Sequence, residues 1–260
     1  MQGTFLFLGT SASAGVPQIG CKCEICSSKS KFDKRLRPAG LLHVGGKSLL
    51  IDAGPDLRQQ LLKSDVTHLD GLLLTHTHFD HIAGIDELRI FYVITGRRFP
   101  CLLSKESYEE LRTRYHYFFE KKGTSLSAQF NVQILEGDRG ETEFLGVKFK
   151  YFSYFQGGMK VHAFRLGNFA YVTDIRDYPE SVFEDLEGVE TLVLSALRKE
   201  PSNVHFNFEE AVAFARRAGA KKTWLTHLSH FHTCEEGNSL LPEDVRLAYD
   251  GLQLEFKCTK

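Results

Sequence analysis

Directly after the apolar stretch Gly71–Thr75, the chain places three imidazoles and a carboxylate within six residues: His76-Thr77-His78-Phe79-Asp80-His81. This order narrows the fold, because the segment must leave a buried strand at a sheet edge. Residues two apart on extended backbone point the same way, so His76 and His78 converge on one ion. Asp80 and His81 lie past the bend and can face a second position. Imidazole nitrogen and carboxylate oxygen suit Zn, Mn or Fe and favour none of them. The competing reading is a polar loop whose histidines only hydrogen-bond. Four potential ligands at one strand end weigh against it.

The 260 residues are 42% hydrophobic and 25% charged, which suits a globular chain able to bury a substantial core. A formal net charge of −1 supplies no global field to draw the chain to nucleic acid or to an anionic membrane. The opening residues lack a basic segment followed by a long apolar one, and no later run is long enough to span a bilayer. A cytoplasmic, membrane-free protein is expected. Disulfides rarely persist in that compartment, so the crowding of Cys21, Cys23 and Cys26 needs another reason. Cys101, Cys234 and Cys258 read as packing residues.

No repeat, low-complexity tract or Pro/Ser-rich linker divides the chain, so one domain over 1–260 is expected. Apolar runs bounded by turn residues predict strands at Thr4–Leu8, Ser48–Ile51, Gly71–Thr75, Val132–Leu135, Val147–Tyr154, Val161–Leu166, Phe169–Thr173, Thr191–Ser195, Thr223–Thr226 and Leu252–Phe256. Helical spacing predicts Leu57–Leu62 capped by Asp56, Lys105–Glu120 capped by Ser104, Ser181–Leu186 and Phe208–Arg217. Together they indicate an α/β or α+β layered fold.

His-x-His-x-Asp-His after a strand resembles the metallo-β-lactamase superfamily. The resemblance continues along the chain: Tyr171-Val172-Thr173-Asp174 is similar to the element carrying a metal-bridging Asp, and Leu225-Thr226-His227 to the late strand carrying a final His. It implies a four-layer αββα sandwich with two divalent metals, Zn or Mn, at one edge of the sheets. Such a pair can generate a metal-bound hydroxide and polarise a phosphoryl or carbonyl oxygen. No Gly-x-Ser-x-Gly elbow or Walker loop supplies another nucleophile or phosphate cradle.

Cys21, Cys23 and Cys26 offer three of the four ligands of a closed structural zinc site, and three Cys plus one His is a common set. His227 and His230 provide two imidazoles where the active site needs one. Gly9-Thr10-Ser11-Ala12-Ser13-Ala14-Gly15-Val16-Pro17, the cysteines and Thr226-His227-x-x-His230 together resemble one branch of the superfamily. That branch includes the cyclic ribose-phosphate phosphodiesterase of the carbon–phosphorus lyase pathway. It is also similar to pyrroloquinoline quinone biosynthesis protein B. The likeness implies a Cys₃His zinc on Cys21, Cys23, Cys26 and His230, within a zinc-binding loop at about 20–37. It also implies His205 as general acid to the leaving group, with Asp80 in the catalytic centre. The plainer reading of His205 is a cap on the Phe208 helix.

One ligand departs from the branch's pattern. Gln156, just before Gly157-Gly158, stands where a further His is expected, and His162, the nearest imidazole, lies inside the following strand. The site of Asp80, His81, Asp174 and His227 is complete. The site of His76, His78 and Asp174 would rely on Gln156, a neutral oxygen ligand better suited to Mn or Mg than to Zn. Lys34, Arg35 and Arg37 could meet a substrate phosphate but more often form a solvated loop; Arg198 and Lys199 are better placed. Tyr115, Tyr117, Phe118 and Phe119 read as a packing face.

The expected function is metal-dependent hydrolysis, as a phosphodiesterase, of a small phosphorylated or cyclic phosphodiester substrate. The alternatives are a catalytically weak cofactor-pathway or binding member of the fold and an RNA-processing nuclease, with lactam hydrolysis weakest. The partner expected is a small phosphorylated molecule rather than nucleic acid or membrane, with homodimer assembly left open.

Overall fold

The computed structural model describes residues 2–119 and 127–258. Strands β1 (Gln2–Gly9), β2 (Ala39–Val44), β3 (Lys47–Ile51), β4 (Gly71–Leu73), β5 (Phe99–Leu103) and β6 (Phe130–Ile134) form one sheet. It is completed from the far end of the chain by β14 (Gln253–Lys257), in the order β14-β1-β2-β3-β4-β5-β6. The second sheet has the order β13-β12-β11-β10-β9-β8-β7. Its strands are β7 (Arg139–Phe144), β8 (Val147–Gln156), β9 (Met159–Leu166), β10 (Phe169–Val172), β11 (Thr191–Ser195), β12 (Lys222–Thr226) and β13 (Val245–Leu247).

Side-chain alternation explains the stacking. Ile51, Leu73, Tyr171 and Val193 face the space between the sheets, where they meet Phe5 and Phe164. Their neighbours Leu50 and Leu72 point outward against α2 (Leu57–Lys63), α3 (Phe79–Ile82), α4 (Arg89–Thr95) and α5 (Lys105–Arg114). Val172, Leu192 and Leu194 point outward from the other sheet, against α6 (Val182–Leu186) and α7 (Phe208–Arg217). The result is the αββα sandwich expected.

Strands β3 to β6 are parallel, as are β10 to β13. The segments after β3, β4, β10, β11 and β12 therefore leave on one edge, where ligands of open α/β sheets gather. They carry Asp52, His76, Asp174, Ala196 and His227.

Several local expectations change. β4 ends at Leu73, and the Thr75 amide donates instead to Asp52 Oδ1 at 2.9 Å. α5 stops at Arg114, and a 3₁₀ turn, His116–Phe118, follows; Glu120 lies outside the described residues. Ser104 does cap α5, through the Ser107 amide at 3.1 Å. Asp56 stands at the N-cap of α2 but makes no cap bond, because its carboxylate accepts from the Arg37 amide at 2.8 Å and pairs with the Arg37 guanidinium at 2.9 Å. β2, β5, β7, β13 and α4 were not expected from pattern. Among the described residues, no helix is long and apolar enough to cross a membrane.

Candidate metal centre

His76, Asp80, His81, Asp174 and His227 are all buried at the common edge, with His78 partly open. His76 Nε2 lies 3.0 Å from His78 Nδ1. His81 Nε2 stands 3.2 Å from Asp174 Oδ2 and 3.6 Å from Asp80 Oδ2. His227 Nε2 stands 3.1 Å from Asp174 Oδ1 and 3.3 Å from Asp80 Oδ2. Two N/O ligands of one ion, each about 2.1 Å from it, sit about 2.9–3.4 Å apart in octahedral to tetrahedral geometry. The donor set fits divalent metal: His76, His81 and Asp174 offer atoms within 4.8 Å of one another, as do Asp80, His81 and His227, and Asp174, His205 and His227.

Tautomers are set from behind. The Thr75 hydroxyl is 2.8 Å from Asp52 Oδ2 and 2.9 Å from His76 Nδ1. A hydroxyl has one proton, which the carboxylate takes, so His76 Nδ1–H donates to the Thr75 oxygen and its Nε2 lone pair faces the site. Burial, then neighbouring His81, holds the His76 pKa well below the ordinary histidine range. Burial disfavours the His81 cation too, but the carboxylates of Asp52 and Asp174 outweigh it and lift its pKa well above that range. Burial works against ionised Asp174, but His227 and His81 prevail and keep it a carboxylate. A proton on His81 thus stands where a metal would deliver positive charge.

His205 lies 3.7 Å from Asp174, and its ring centroid is 4.5 Å from that of His227. It does not cap α7; Asn207 does, in a capping box with Glu210. Gln156 points its Nε2 at His205 Nε2, 3.2 Å away, and among the described residues its Oε1 has no partner. The structure therefore brings Gln156 to His205; among the described residues it makes no bond to His76 or His78. Among the described residues, buried His162 joins no candidate metal cluster, and its backbone amide donates to Thr75 O at 3.0 Å.

A second cluster lies beside α1 (Glu24–Ser27). His230 Nδ1 is 3.5 Å from both Cys21 Sγ and Cys23 Sγ, and 3.4 Å from Cys26 Sγ. A tetrahedral zinc with bonds of 2.3 Å to sulfur and 2.0–2.1 Å to nitrogen would separate them by about 3.6 Å. The Cys26 amide directed at Cys23 Sγ, helped by His230 and opposed by burial, brings the Cys23 thiol pKa down to about 6, which favours the thiolate a metal needs.

The reading of the basic run changes. Arg35 is not available to a substrate phosphate; it is buried, with its guanidinium on the Ser229 and His232 carbonyls. Lys34 reaches the Cys26 carbonyl, and Arg37 pairs with Asp56. Arg198 lies 4.8 Å over the Phe231 ring, and Lys199 is exposed. Phe118 packs on Phe130, as a packing face should. Sequence reasoning missed Asp52 as the orienting carboxylate, although its place at a strand end beside the His cluster was a usable signal.

Fold and donor set define a metallo-β-lactamase-fold hydrolase. The chain belongs to the beta-lactamase superfamily, whose domain profile (Beta-lactamase superfamily domain) matches residues 47–228. It is similar to the crystal structure of a diphosphatase from the PhnP family, with 36% identity and a TM-score of 0.91 over 99% of this chain and 98% of that one. An octanoyltransferase of Porphyromonas gingivalis is 31% identical over 95% of this chain and 50% of its own length. Coenzyme PQQ synthesis protein B of Methylobacterium nodulans is 36% identical over 32% of this chain and 33% of its own length. The match thus spans half or less of these curated relatives.

Proposed function

We propose that the protein is a metal-dependent phosphohydrolase that cleaves a P–O bond in a small phosphodiester or diphosphate. The observation that carries this is His205, a buried imidazole placed against the Asp174–His227 edge of the metal centre, in a chain similar over its length to a PhnP-family diphosphatase. His76, His78 and Asp174 would hold one cation; Asp80, His81, Asp174 and His227 would hold the other. When bound, the cations, Zn or Mn, supply Lewis acidity toward phosphoryl oxygens and lower the pKa of water.

The chain's residues do the rest. Asp52 and Thr75 keep His81 and His76 oriented with their Nε2 atoms inward. The Gln156 amide nitrogen donates to His205 Nε2, which leaves the ring proton on Nδ1, an atom without a hydrogen-bond partner among the described residues. Burial, then His227, depresses His205 to about 4, so it is neutral at pH 7 in the free chain. A bound phosphoryl group adds negative charge there and favours protonation at Nε2, for which the Gln156 amide turns its oxygen to accept, and His205 then carries the proton for a departing alkoxide. The proposed partner is a small phosphorylated molecule rather than nucleic acid or membrane, in a cytoplasmic protein.

Gln156 favours a second reading, a weakly catalytic member of the fold, since it turns to His205 rather than to His76 and His78. Bis(p-nitrophenyl) phosphate, a cyclic ribose phosphodiester, an organic diphosphate and a short RNA, offered to Mn- and Zn-loaded protein, separate the readings. Turnover of small phosphates without RNA cleavage is expected. No turnover of any phosphate would overturn the proposal.

A further inference from the structure

The segment after β12 carries ligands of both clusters, with His227 in the active centre and His230 in the Cys cluster three residues on. His227 has φ +60°, a left-handed conformation that a non-glycine residue holds only when its surroundings enforce it. The enforcement is visible. The Leu228 amide donates to Thr10 O and its carbonyl accepts from the Ala12 amide, both at 2.9 Å, while the Ser229 amide donates to Leu197 O at 2.9 Å. One side chain spans the remaining positions. Arg35, only 2% exposed, donates from Nη1 to Ser229 O at 3.1 Å and from Nη2 to His232 O at 3.3 Å.

Arg35 is itself held firmly. Its amide and carbonyl both bond Val16, at 2.8 and 2.9 Å. Its closest carboxylate, Asp33, is 3.7 Å away and also accepts from the Cys234 amide at 2.8 Å. A buried guanidinium paired at 3.7 Å with one buried carboxylate and helped more weakly by Asp250 is a costly way to fill space, since burial still disfavours its charge. What it does that an apolar side chain cannot is fix two carbonyls, one between His227 and His230 and one just beyond His230.

We propose that Arg35 is a positioning residue for His227, and that through it the Cys cluster and the active centre are coupled. The proposal rests on the assignment of His227 as a metal ligand. Arg35 touches no ligand; it acts on His227 through the Ser229 carbonyl and on His230 through both carbonyls. Coupling is reciprocal, so metal in the active centre must tighten zinc in the Cys cluster by the same factor that zinc tightens the metal.

The test is Mn²⁺ titration of the zinc-containing protein, read by electron paramagnetic resonance and calorimetry, with bound zinc measured alongside. Arg35→Lys keeps the charge but loses the two-pronged reach. It should retain its zinc and weaken Mn²⁺ binding about tenfold, as loss of outer-sphere support does elsewhere. Leu111→Ala, in the outer core of the other sheet, lowers stability without touching this segment and should leave Mn²⁺ affinity unchanged. Equal weakening in both variants, or none in Arg35→Lys, overturns the proposal. If Arg35→Lys does not fold, wild type alone decides. Zinc affinity, measured at equilibrium in competition with a chromogenic chelator, should rise several-fold once Mn²⁺ is loaded, and an unchanged affinity overturns the coupling. If His227→Ala binds Mn²⁺ as wild type does, the ligand assignment fails instead.

Discussion

Asp52 Oδ2 sits 2.7 Å from His81 Nδ1, with both side chains wholly inaccessible to solvent. The same carboxylate accepts from the Thr75 hydroxyl, so a single buried acid aligns His81 directly and His76 through Thr75. Asp52→Asn keeps the shape but removes the charge that selects these tautomers. Active-centre metal affinity should fall about 10–100-fold. Elemental analysis after dialysis checks this, and retention of the wild-type stoichiometry would count against it.

Cys23→Ser should release about one zinc per chain and lower Tm, because metal binding in a closed Cys₃His site is folding energy. The variant is clean, since Cys23 is also the N-cap of α1 and serine caps well. Purified wild type without tightly held zinc, or a variant of unchanged Tm, would refute the structural role.

His205→Ala should leave metal content intact and slow esters with poor leaving groups by about 10²–10⁴-fold. Nitrophenolate esters, which need little protonation on departure, should lose less. Equal losses on both substrates would assign His205 to binding alone.

Because Gln156 bonds His205, the cation at His76 and His78 should be the weaker one, and activity should respond to added Mn. Gln156→His adds an imidazole at this edge and should raise two-metal occupancy after dialysis. Two tightly held catalytic metals in wild type would contradict this.

Asp250 supplies a pH dependence. Burial lifts its carboxyl to about 6 from 3.8, against the opposing hydrogen bonds from the Leu36 amide and the Thr10 hydroxyl. Between these values the folded state keeps a proton that the unfolded state has released, so stability falls as pH rises through that window. The loss should be about 2 kcal/mol, below the full value of the shift because the group keeps some solvent contact. Asp250→Asn should flatten the slope of denaturation free energy between pH 4 and 6, and an unchanged slope would reject the assignment.

Much of the candidate site was legible because the spacing of its donor residues is local. His76, His78, Asp80 and His81 lie within one strand end, and Cys21, Cys23 and Cys26 within one loop. Asp174 and His227 were readable by likeness to known strand ends. α7 and β11 were readable to the residue, since amphipathic periodicity and a fully apolar run are written in consecutive positions. β2 and β5 were not: Ala39 and Gly40 open one and Pro100 interrupts the other, and their pairing with neighbours outweighs weak propensity.

The sequence by itself determined which atoms can bind metal and on which strand ends they stand, because side-chain chemistry and short-range geometry belong to the covalent chain. Only the tertiary structure decided that Asp52 serves His81, that Gln156 turns to His205, and that Arg35 is buried against Ser229 and His232. These pairs are 29, 49 and about 195 residues apart. Contacts at such separations exist only once two sheets have packed, and no local pattern encodes which partner a long polar side chain then finds.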